Sequence, residues 1–277
     1  MFRIFGPTES PAKRRFAALA AIGAAVLAII VPLAAVTHGE LDGTRHPAVL
    51  LLLMDVNGQP AFRCSGTLIS PTIVLTAGHC AGAPGEFSSI RVFAETDVQH
   101  DPTYPFAGGP NTIEATAFAA HPAYTSAQFF LHDVGMIKLA SPINLPASQY
   151  GTLPTVNSLD GAPVGVKTGF TSVGYGVQRI NSAQVVSERV RMVANPWLIQ
   201  KNTGFTGPFS LLLSNNASSG GTCFGDSGGP NFLGDSRVVA GVTSFGLNGS
   251  CGGTGGVFRL DRADVQAFIN DFIVAHP

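Results

Sequence analysis

The sequence predicts an all-β protein, in which short strands and frequent turns form a sandwich or barrels. Glycine and proline account for 33 and 19 of the 277 residues, and both residues favour turns. Between them lie short runs rich in Val, Ile, Thr and Phe, which favour strands. Only 12% of the residues are charged and the net charge is -1. The composition therefore fits a packed globular chain and gives no reason to expect nucleic acid as a partner.

Strand-like segments follow one another along most of the chain. An apolar run at 48–54 is separated from another at 62–69 by Asn57 and Gly58, a dipeptide that favours a tight hairpin turn. Turn-rich loops are expected at 96–112 and 141–163, and the second could join two domains. The other predicted strands are equally short and lie at 73–75, 90–93, 134–139, 171–173, 185–193, 209–213, 238–245 and 256–260.

The C-terminal segment has a different periodicity. Asp261 is a predicted helix N-cap, because an aspartate side chain accepts hydrogen bonds from the first free N–H groups of a helix. We expect this helix to pack against the β-structure. Its apolar face is formed by residues at helical spacing, namely Val265, Phe268, Ile269, Phe272 and Ile273.

Residues 1–35 have the order of a secretory signal peptide. Lys13, Arg14 and Arg15 precede an apolar stretch at 16–36 that ends in small residues. We expect cleavage after Ala35 and export of the remainder. Because about 20 apolar residues can span a bilayer, an uncleaved anchor is the alternative, and it would be the chain's one contact with a membrane.

The four cysteines predict disulfides if the chain is exported. Cys64 lies close to Cys80 in the sequence, and Cys223 lies close to Cys251, so two local bridges are expected in an oxidising compartment. Four cysteines allow three pairings, however, and the sequence alone leaves the choice open. A zinc site is the competing interpretation, but no CxxC pair or histidine cluster accompanies the cysteines. No metal and no other cofactor is therefore expected.

A serine between glycines, in TCFGDSGGP at 222–230, is the candidate nucleophile. Such a glycine-rich segment could also be a simple turn. A serine hydroxyl becomes nucleophilic when a nearby histidine accepts its proton and a carboxylate holds that histidine. His79 ends one apolar segment and Asp133 begins another, so both have suitable settings to serve Ser227.

Four motifs occur together in one order: CSGTLIS at 64–70, TAGHC at 76–80, DVGMIKL at 133–139 and GDSGGP at 225–230. In this combination the chain resembles the chymotrypsin-like (trypsin-fold) serine endopeptidases, particularly secreted bacterial members. The resemblance covers residues 36–277 and implies two six-stranded antiparallel β-barrels with a C-terminal helix.

The resemblance also implies the roles of the motif residues. His79 is expected to act as general base, Asp133 to orient it, and Ser227 to attack the substrate. The backbone N–H groups of Gly225 and Ser227 are expected to form the oxyanion hole. The barrel at 36–150 would carry the histidine and the aspartate, and the barrel at 151–277 would carry the serine.

Asp226 has a separate role in the family, where its carboxylate pairs with an α-amino group released by processing. The segment VTHG at 36–39 resembles the family's mature N-terminus and directly follows the small residues of the signal. We therefore expect one cut after Ala35 to release the protein and to free the amino group of Val36. Cleavage after Gly39 is the competing hypothesis.

The resemblance places the primary specificity pocket around Ser227. Gly221 would form its floor, Gly246 and Gly256 its walls, and Ser244, Phe245 and Gly246 would pair with the substrate backbone. Because no aspartate stands at 221 to hold Lys or Arg, we expect cleavage after Phe, Tyr, Leu or Met.

Two other functions are compatible with these motifs. A non-catalytic binding homologue could share the fold. GDSGG also fits the nucleophile elbow of serine esterases, but that motif requires a helix after the serine, which Gly229 and Pro230 oppose. The expected protein is a secreted monomer that acts on polypeptide substrates and could be bound by protein inhibitors.

Overall fold

The computed structural model describes residues 36–106, 112–181, 183–202, 204 and 207–277. The predicted signal peptide, residues 1–35, lies outside the described residues. Within the described part of the chain, no helix has the length and apolar character needed to cross a membrane.

Strands make up most of the described structure, which confirms the predicted fold class. Two α-helices, α1 (Gly78–Ala81) and α2 (Ala263–Ala275), accompany them. The strands in chain order are β1 (Glu40–Leu41), β2 (Val49–Val56), β3 (Gln59–Leu68), β4 (Ile73–Thr76), β5 (Ser89–Phe93), β6 (Thr112–Ala120), β7 (Gly135–Leu139), β8 (Gly165–Gly174), β9 (Arg179–Ile180), β10 (Val185–Val186), β11 (Met192–Ala194), β12 (Trp197–Lys201), β13 (Ser210–Asn215), β14 (Pro230–Leu233), β15 (Val239–Gly246) and β16 (Gly253–Arg259).

The first barrel is a closed ring of six antiparallel strands in the order β2, β3, β4, β7, β6 and β5. Its first hairpin turns at Asn57 and Gly58, whose φ angles of 53° and 74° match the turn that this dipeptide favours. Strand β2 is apolar and almost entirely buried, so its hydrophobic run is explained by burial on both sides of the barrel wall.

The second barrel is also a closed ring of six antiparallel strands. The order is β8, β12, β13, β16, β15 and β14, and the pairing of β14 with β8 closes the ring. Strand β11 extends this sheet beside β8, and β1 pairs with β11. The segment that begins at Val36 is therefore attached to the second barrel.

One hydrophobic cluster fills the first barrel and continues across the barrel interface to α2, and another fills the second barrel. Val265, Ile269 and Phe272 are the buried residues of α2, as its apolar periodicity predicted. Lys138 Nζ of the first barrel donates to the Pro277 carbonyl oxygen at 2.5 Å. The helix thus packs on the first barrel, although it follows the second one in the chain.

Two local predictions were wrong. Arg262, and not Asp261, occupies the N-cap position, because the buried Asp261 carboxylate binds the Arg259 guanidinium at 2.9 and 2.8 Å. The predicted strand at 185–193 is interrupted between β10 and β11. There, the Gln178 side chain binds the backbone N–H and carbonyl of Glu188 at 2.7 and 2.6 Å, in place of a neighbouring strand.

Candidate active site

The pairing of β4 with β7 brings the candidate base and carboxylate together. Thr76, at the end of β4, lies opposite Gly135, at the start of β7. His79 on α1 follows Thr76 and Asp133 precedes Gly135, so both lie at the same end of the first barrel. His79 Nδ1 lies 3.0 and 3.1 Å from the two carboxylate oxygens of Asp133, and the His79 backbone N–H donates to Oδ1 at 3.0 Å. Asp133 is fully buried, and it holds the imidazole through two contacts and the His79 backbone through a third.

A further hydroxyl completes the surroundings of the carboxylate. Ser244 Oγ, from β15 of the second barrel, donates to Asp133 Oδ2 at 2.5 Å. The sequence motif predicts only a substrate contact for Ser244, because the residues of this hydrogen bond lie 111 positions apart in the chain. The hydrogen bond ties the two barrels together at the site.

The electrostatic environment of His79 suits a base that becomes cationic. Burial by itself lowers the pKa of the imidazole, but the negative charge of Asp133 and its hydrogen bond outweigh burial, and the pKa of His79 is raised above its ordinary value. The imidazolium is thus stabilised, while 31% of the side chain remains exposed to the cleft.

The loop before β14 carries Ser227 to the same place. The Ser227 carbonyl accepts a hydrogen bond from the Ser65 N–H at 2.8 Å, which fastens the loop to the first barrel. Gly228 has a φ of 76°, and a Cβ atom there would lie 2.0 Å from Thr76 Oγ1; only glycine allows this close approach. Ser227 and His79 line one cavity of about 370 Å³.

The backbone before Ser227, which carries the two N–H groups expected to form an oxyanion hole, is held by hydrogen bonds to its carbonyls. The Phe224 carbonyl accepts a hydrogen bond from the Val177 N–H at 2.8 Å, and the Gly225 carbonyl accepts one from Ser65 Oγ at 2.9 Å. Because the N–H and C=O of a trans peptide point in opposite directions, the Gly225 N–H faces away from Val177. Within the described chain, neither the Gly225 N–H nor the Ser227 N–H donates a hydrogen bond.

Asp226 points away from the cleft into the protein. Its carboxylate is fully buried and accepts hydrogen bonds from the Gly176 N–H at 2.7 Å and the Cys223 N–H at 2.9 Å. Burial raises the pKa of Asp226 to about 6, although both hydrogen bonds and the charge of Arg63 act in the opposite direction. Asp226 forms no ion pair with any described residue.

The candidate mature N-terminus lies beside the segment that carries Asp226. Val36 is fully buried in a small cluster with Met192 and Ala194. The next residue, Thr37, bridges to Gly221, whose N–H donates to the Thr37 carbonyl at 3.0 Å. Val36 therefore lies in the protein interior.

A cavity of about 140 Å³ opens on one side of Ser227. Of the three glycines expected to form the pocket, Gly246 lines this cavity, whereas Gly221 and Gly256 are not among its lining residues. Ser244 and Phe245, expected to pair with the substrate backbone, line it as well. Thr222, Thr243 and the cysteines of one disulfide were not anticipated. The lining residues are uncharged and comprise Thr222, Cys223, Phe224, Ser227, Thr243, Ser244, Phe245, Gly246 and Cys251.

The two remaining glycines predicted for the pocket have close neighbours. A Cβ atom on Gly256 would lie 2.4 Å from the Phe245 ring, and one on Gly221 would lie 2.2 Å from the Asn215 side chain. Each glycine thus makes room for a side chain of the protein itself. Asn215 was not recognised in the sequence.

The structure contains both predicted disulfides, Cys64–Cys80 and Cys223–Cys251. The first joins β3 to the helix that carries His79, and the second joins two walls of the 140 Å³ cavity. Both therefore fix the surroundings of the candidate site.

Two histidines behind Asp133 have a packing role. The rings of His121 and His132 stack with centroids 4.8 Å apart, and His121 also packs edge to face on Phe268 of α2. His121 Nδ1 accepts a hydrogen bond from the Ala123 N–H at 3.1 Å. Although Asp264 lies close by, parallel rings cannot direct their nitrogen lone pairs at a shared ion.

Two closed barrels with a histidine, a buried carboxylate and a serine at their junction define a two-barrel serine protease. Comparison with known families agrees, since the trypsin family, described as "Trypsin", matches residues 45–267. The chain belongs to the trypsin family and is a serine endopeptidase that acts on polypeptides.

Individual relatives are consistent with this assignment. The chain is 34% identical to brachyurin of Leptuca pugilator over 194 residues, which is 68% of this chain and 77% of brachyurin. It is 29% identical to a trypsin-like protease of Streptomyces glaucescens over 218 residues, 76% of this chain and 74% of that protein. The bacterial relative is thus less similar to this chain than the brachyurin is.

A solved structure titled HL collagenase has the same fold. It superimposes with a TM-score of 0.66 at 22% identity, over 86% of this chain and 98% of that one. At this level of identity the likeness concerns the fold alone.

Proposed function

We propose that the protein hydrolyses peptide bonds through an acyl-enzyme on Ser227, with His79 as general base and Asp133 as its orienting carboxylate. The observation that carries this proposal is the chain of contacts from Ser244 through Asp133 to His79, together with the cavity that His79 shares with Ser227.

The reaction would follow from the positions of these groups. His79 Nε2 takes the proton of the Ser227 hydroxyl as its oxygen attacks the scissile carbonyl carbon, and the resulting imidazolium is stabilised by Asp133. The imidazolium then gives that proton to the leaving amine, so the C–N bond breaks and an ester on Ser227 remains. Water, activated by the same imidazole, hydrolyses the ester and restores the serine.

The backbone would stabilise the charged intermediate. The N–H groups of Gly225 and Ser227 are free to donate to the oxyanion, because neither has a partner among the described residues. The hydrogen bond from Val177 to the Phe224 carbonyl keeps the Gly225 N–H available. Donors fixed in this way lower the barrier without needing to reorganise.

Processing after Ala35 would complete this loop. The new α-amino group of Val36 would supply the cation that the buried carboxylate of Asp226 lacks among the described residues. The burial of Val36 beside the segment of Gly221 supports this site more than a cut after Gly39. Mass analysis of the exported protein would give Val36 as its first residue, and any other residue would exclude the single cut.

The uncharged cavity beside Ser227 supports a preference for cleavage after Phe, Tyr, Leu or Met. A lysine or arginine side chain would lose its hydration there without gaining a carboxylate partner. Matched peptides that differ only at the residue before the cleaved bond test this proposal. Faster cleavage after Arg or Lys than after Phe or Leu would overturn it.

The first experiment on the proposed reaction is a cleavage map on a mixed peptide library. The chain beginning at Val36 is compared with its Ser227→Ala variant, and cuts that vanish in the variant identify the nucleophile. Absence of cuts in both would favour a non-catalytic binding homologue. The esterase alternative is opposed by the strand β14, which begins at Pro230 where a nucleophile elbow would need a helix.

Export of the protein is part of the same proposal. The signal-like order of residues 1–35 and the two disulfides both suit an oxidising compartment outside the cytoplasm. We expect a monomer that protein inhibitors could block by occupying the cleft.

A further inference from the structure

We propose that Arg63 selects substrates that carry a carboxylate on the leaving-group side of the cleaved bond. This inference rests on the proposed function and adds a second determinant of specificity. The carboxylate can be an Asp or Glu side chain, or the terminal carboxylate of a short leaving peptide.

Two adjoining cavities form a groove that is separate from the 140 Å³ pocket and shares only Phe224 and Ser227 with its lining. The nearer cavity, of about 370 Å³, contains Ser227 and His79, and the farther one has a volume of about 450 Å³. The residues that line both cavities stand at their junction and are Phe62, Arg63, Phe224 and Gly225.

The direction of the substrate assigns this groove to the leaving group. The acyl side of the substrate would pair with Ser244 to Gly246, which line the 140 Å³ pocket. An extended chain attacked at Ser227 would therefore leave through the separate groove. Since a strand advances about 3.3 Å per residue, the first leaving residue would occupy the nearer cavity and the second would reach the junction.

Arg63 is a half-buried cation without a charge partner. One nitrogen, Nη2, donates to Ser187 Oγ at 2.8 Å. Its Nε lies 3.1 Å from where a Cβ atom on Gly225 would stand, so the guanidinium lies beside the loop of the oxyanion hole. Among the described residues Arg63 forms no ion pair.

The other charges around Arg63 favour an incoming anion. A second guanidinium, that of Arg189, stacks over the Tyr104 ring at the far cavity, 4.8 Å from its centroid. The Asp226 carboxylate points into the interior and would be neutralised by the α-amino group of Val36, and Glu86 lines the nearer cavity but not the farther one. The mature groove therefore has an uncompensated positive charge at its centre.

The apolar walls of the groove would strengthen an ion pair between Arg63 and a substrate carboxylate. Phe62 and Phe224 flank Arg63 and are 56% and 55% exposed, so they present apolar surface to the substrate. A bound substrate that covers this surface would exclude water and so strengthen an ion pair formed with Arg63. A guanidinium can also bind a carboxylate through two parallel hydrogen bonds.

The negative charge of Glu86 limits the preference for a carboxylate to the second leaving residue. Glu86 lines the nearer cavity but not the farther one, so it would repel an acidic first leaving residue. We therefore expect a carboxylate to be favoured at the second leaving residue and disfavoured at the first.

The test compares ratios of kcat/KM for matched peptides. Three internally quenched peptides differ only in Asp, Asn or Lys at the second leaving residue, and a second series moves the same substitutions to the first. A third pair ends at the second residue with either a free carboxylate or an amide. The two sources of the carboxylate are thereby separated.

Arg63→Gln and Arg63→Lys are compared with Arg45→Gln, which removes an exposed arginine that pairs with Glu40 outside the groove. In the unaltered enzyme and in Arg45→Gln, we expect Asp to be cleaved about tenfold faster than Asn at the second leaving residue. In Arg63→Gln this ratio falls to about one, and Arg63→Lys retains part of it. Because each ratio is taken within one variant, a general loss of activity divides out.

Three results would overturn the proposal. These are a ratio near one in the unaltered enzyme, an undiminished ratio in Arg63→Gln, and an equal preference for Asp at the first leaving residue. If Arg63→Gln fails to fold, the ratio in the unaltered enzyme and its fall with added salt still decide the question. Failure of the proposed function is a distinct outcome, in which no peptide is cleaved.

Discussion

Replacing the buried carboxylate of Asp226 tests how the amino terminus activates the enzyme. Without a cation, burial raises the pKa of Asp226 from 3.8 to about 6. Each pKa unit corresponds to about 1.4 kcal/mol, so the unpaired carboxylate destabilises the folded chain by about 3 kcal/mol at neutral pH. Because the pKa of Asp226 is higher in the folded chain than in the unfolded chain, the free energy of unfolding is highest below pH 3.8. It falls by this amount as the pH rises through 6.

The assay uses two chains in the inactive Ser227→Ala background. One begins at Val36, and the other keeps Ala35, which displaces the α-amino group by one residue. Each is compared with its Asp226→Asn counterpart by urea unfolding between pH 4 and 7, with disulfides intact. In the longer chain, the asparagine variant gains about 2 kcal/mol of stability relative to its aspartate parent between pH 4 and pH 7.

The chain that begins at Val36 should behave in the opposite way. An ion pair with the α-amino group lowers the pKa of Asp226, so the aspartate form becomes the more stable partner as the pH rises. The same pH dependence in both chains would refute the reasoning, because it would mean that the amino group at Val36 does not reach this carboxylate.

Three further substitutions probe the site. Asp133→Asn should lower kcat by about 10⁴-fold, the loss general for such triads, and should move the acidic limb of the pH–rate profile to lower pH, because His79 loses the charge that raises its pKa. Ser244→Ala removes a donor from the buried carboxylate and should reduce kcat/KM about tenfold or more in steady-state kinetics. Gly228→Ala places a Cβ atom 2.0 Å from a threonine oxygen and should cost about 2–4 kcal/mol in urea unfolding. The matched control Gly234→Ala, where φ is also positive but nothing lies within 4 Å, should cost about 1 kcal/mol; equal costs would argue against the steric explanation.

The local sequence was sufficient to predict those elements in which burial or a motif imposes one pattern of residues. The apolar run of β2 and the turn at Asn57 and Gly58 were predicted because both signals are short-range. Strand β6 was missed, since its segment TIEATAFAA is rich in alanine and mostly half-buried, and pairing with β5 and β7 decides its conformation. The N-cap at Asp261 was wrong for a similar reason, because Arg259 and its neighbours compete for the carboxylate.

The residues of the candidate site also differ in whether the local sequence could predict them. The candidate catalytic residues follow from motifs, whereas Arg63 becomes notable only when Tyr104 and Phe224, from distant parts of the chain, are brought to its side. Likewise, the contact of Ser244 with Asp133 spans 111 positions. Interactions of that range arise from the closure of the two barrels and leave no trace in local composition.

The docking of α2 has a consequence for the order in which activity appears. His121 and Lys138 of the first barrel both contact the segment from α2 to Pro277, and this segment follows every strand of the second barrel in the chain. A nascent chain that has completed only the first barrel therefore still exposes the apolar surface that Val265, Ile269 and Phe272 cover. The half that holds His79 and Asp133 thus matures together with the half that holds Ser227, and a partly synthesised chain has no finished cleft with which to cut its neighbours.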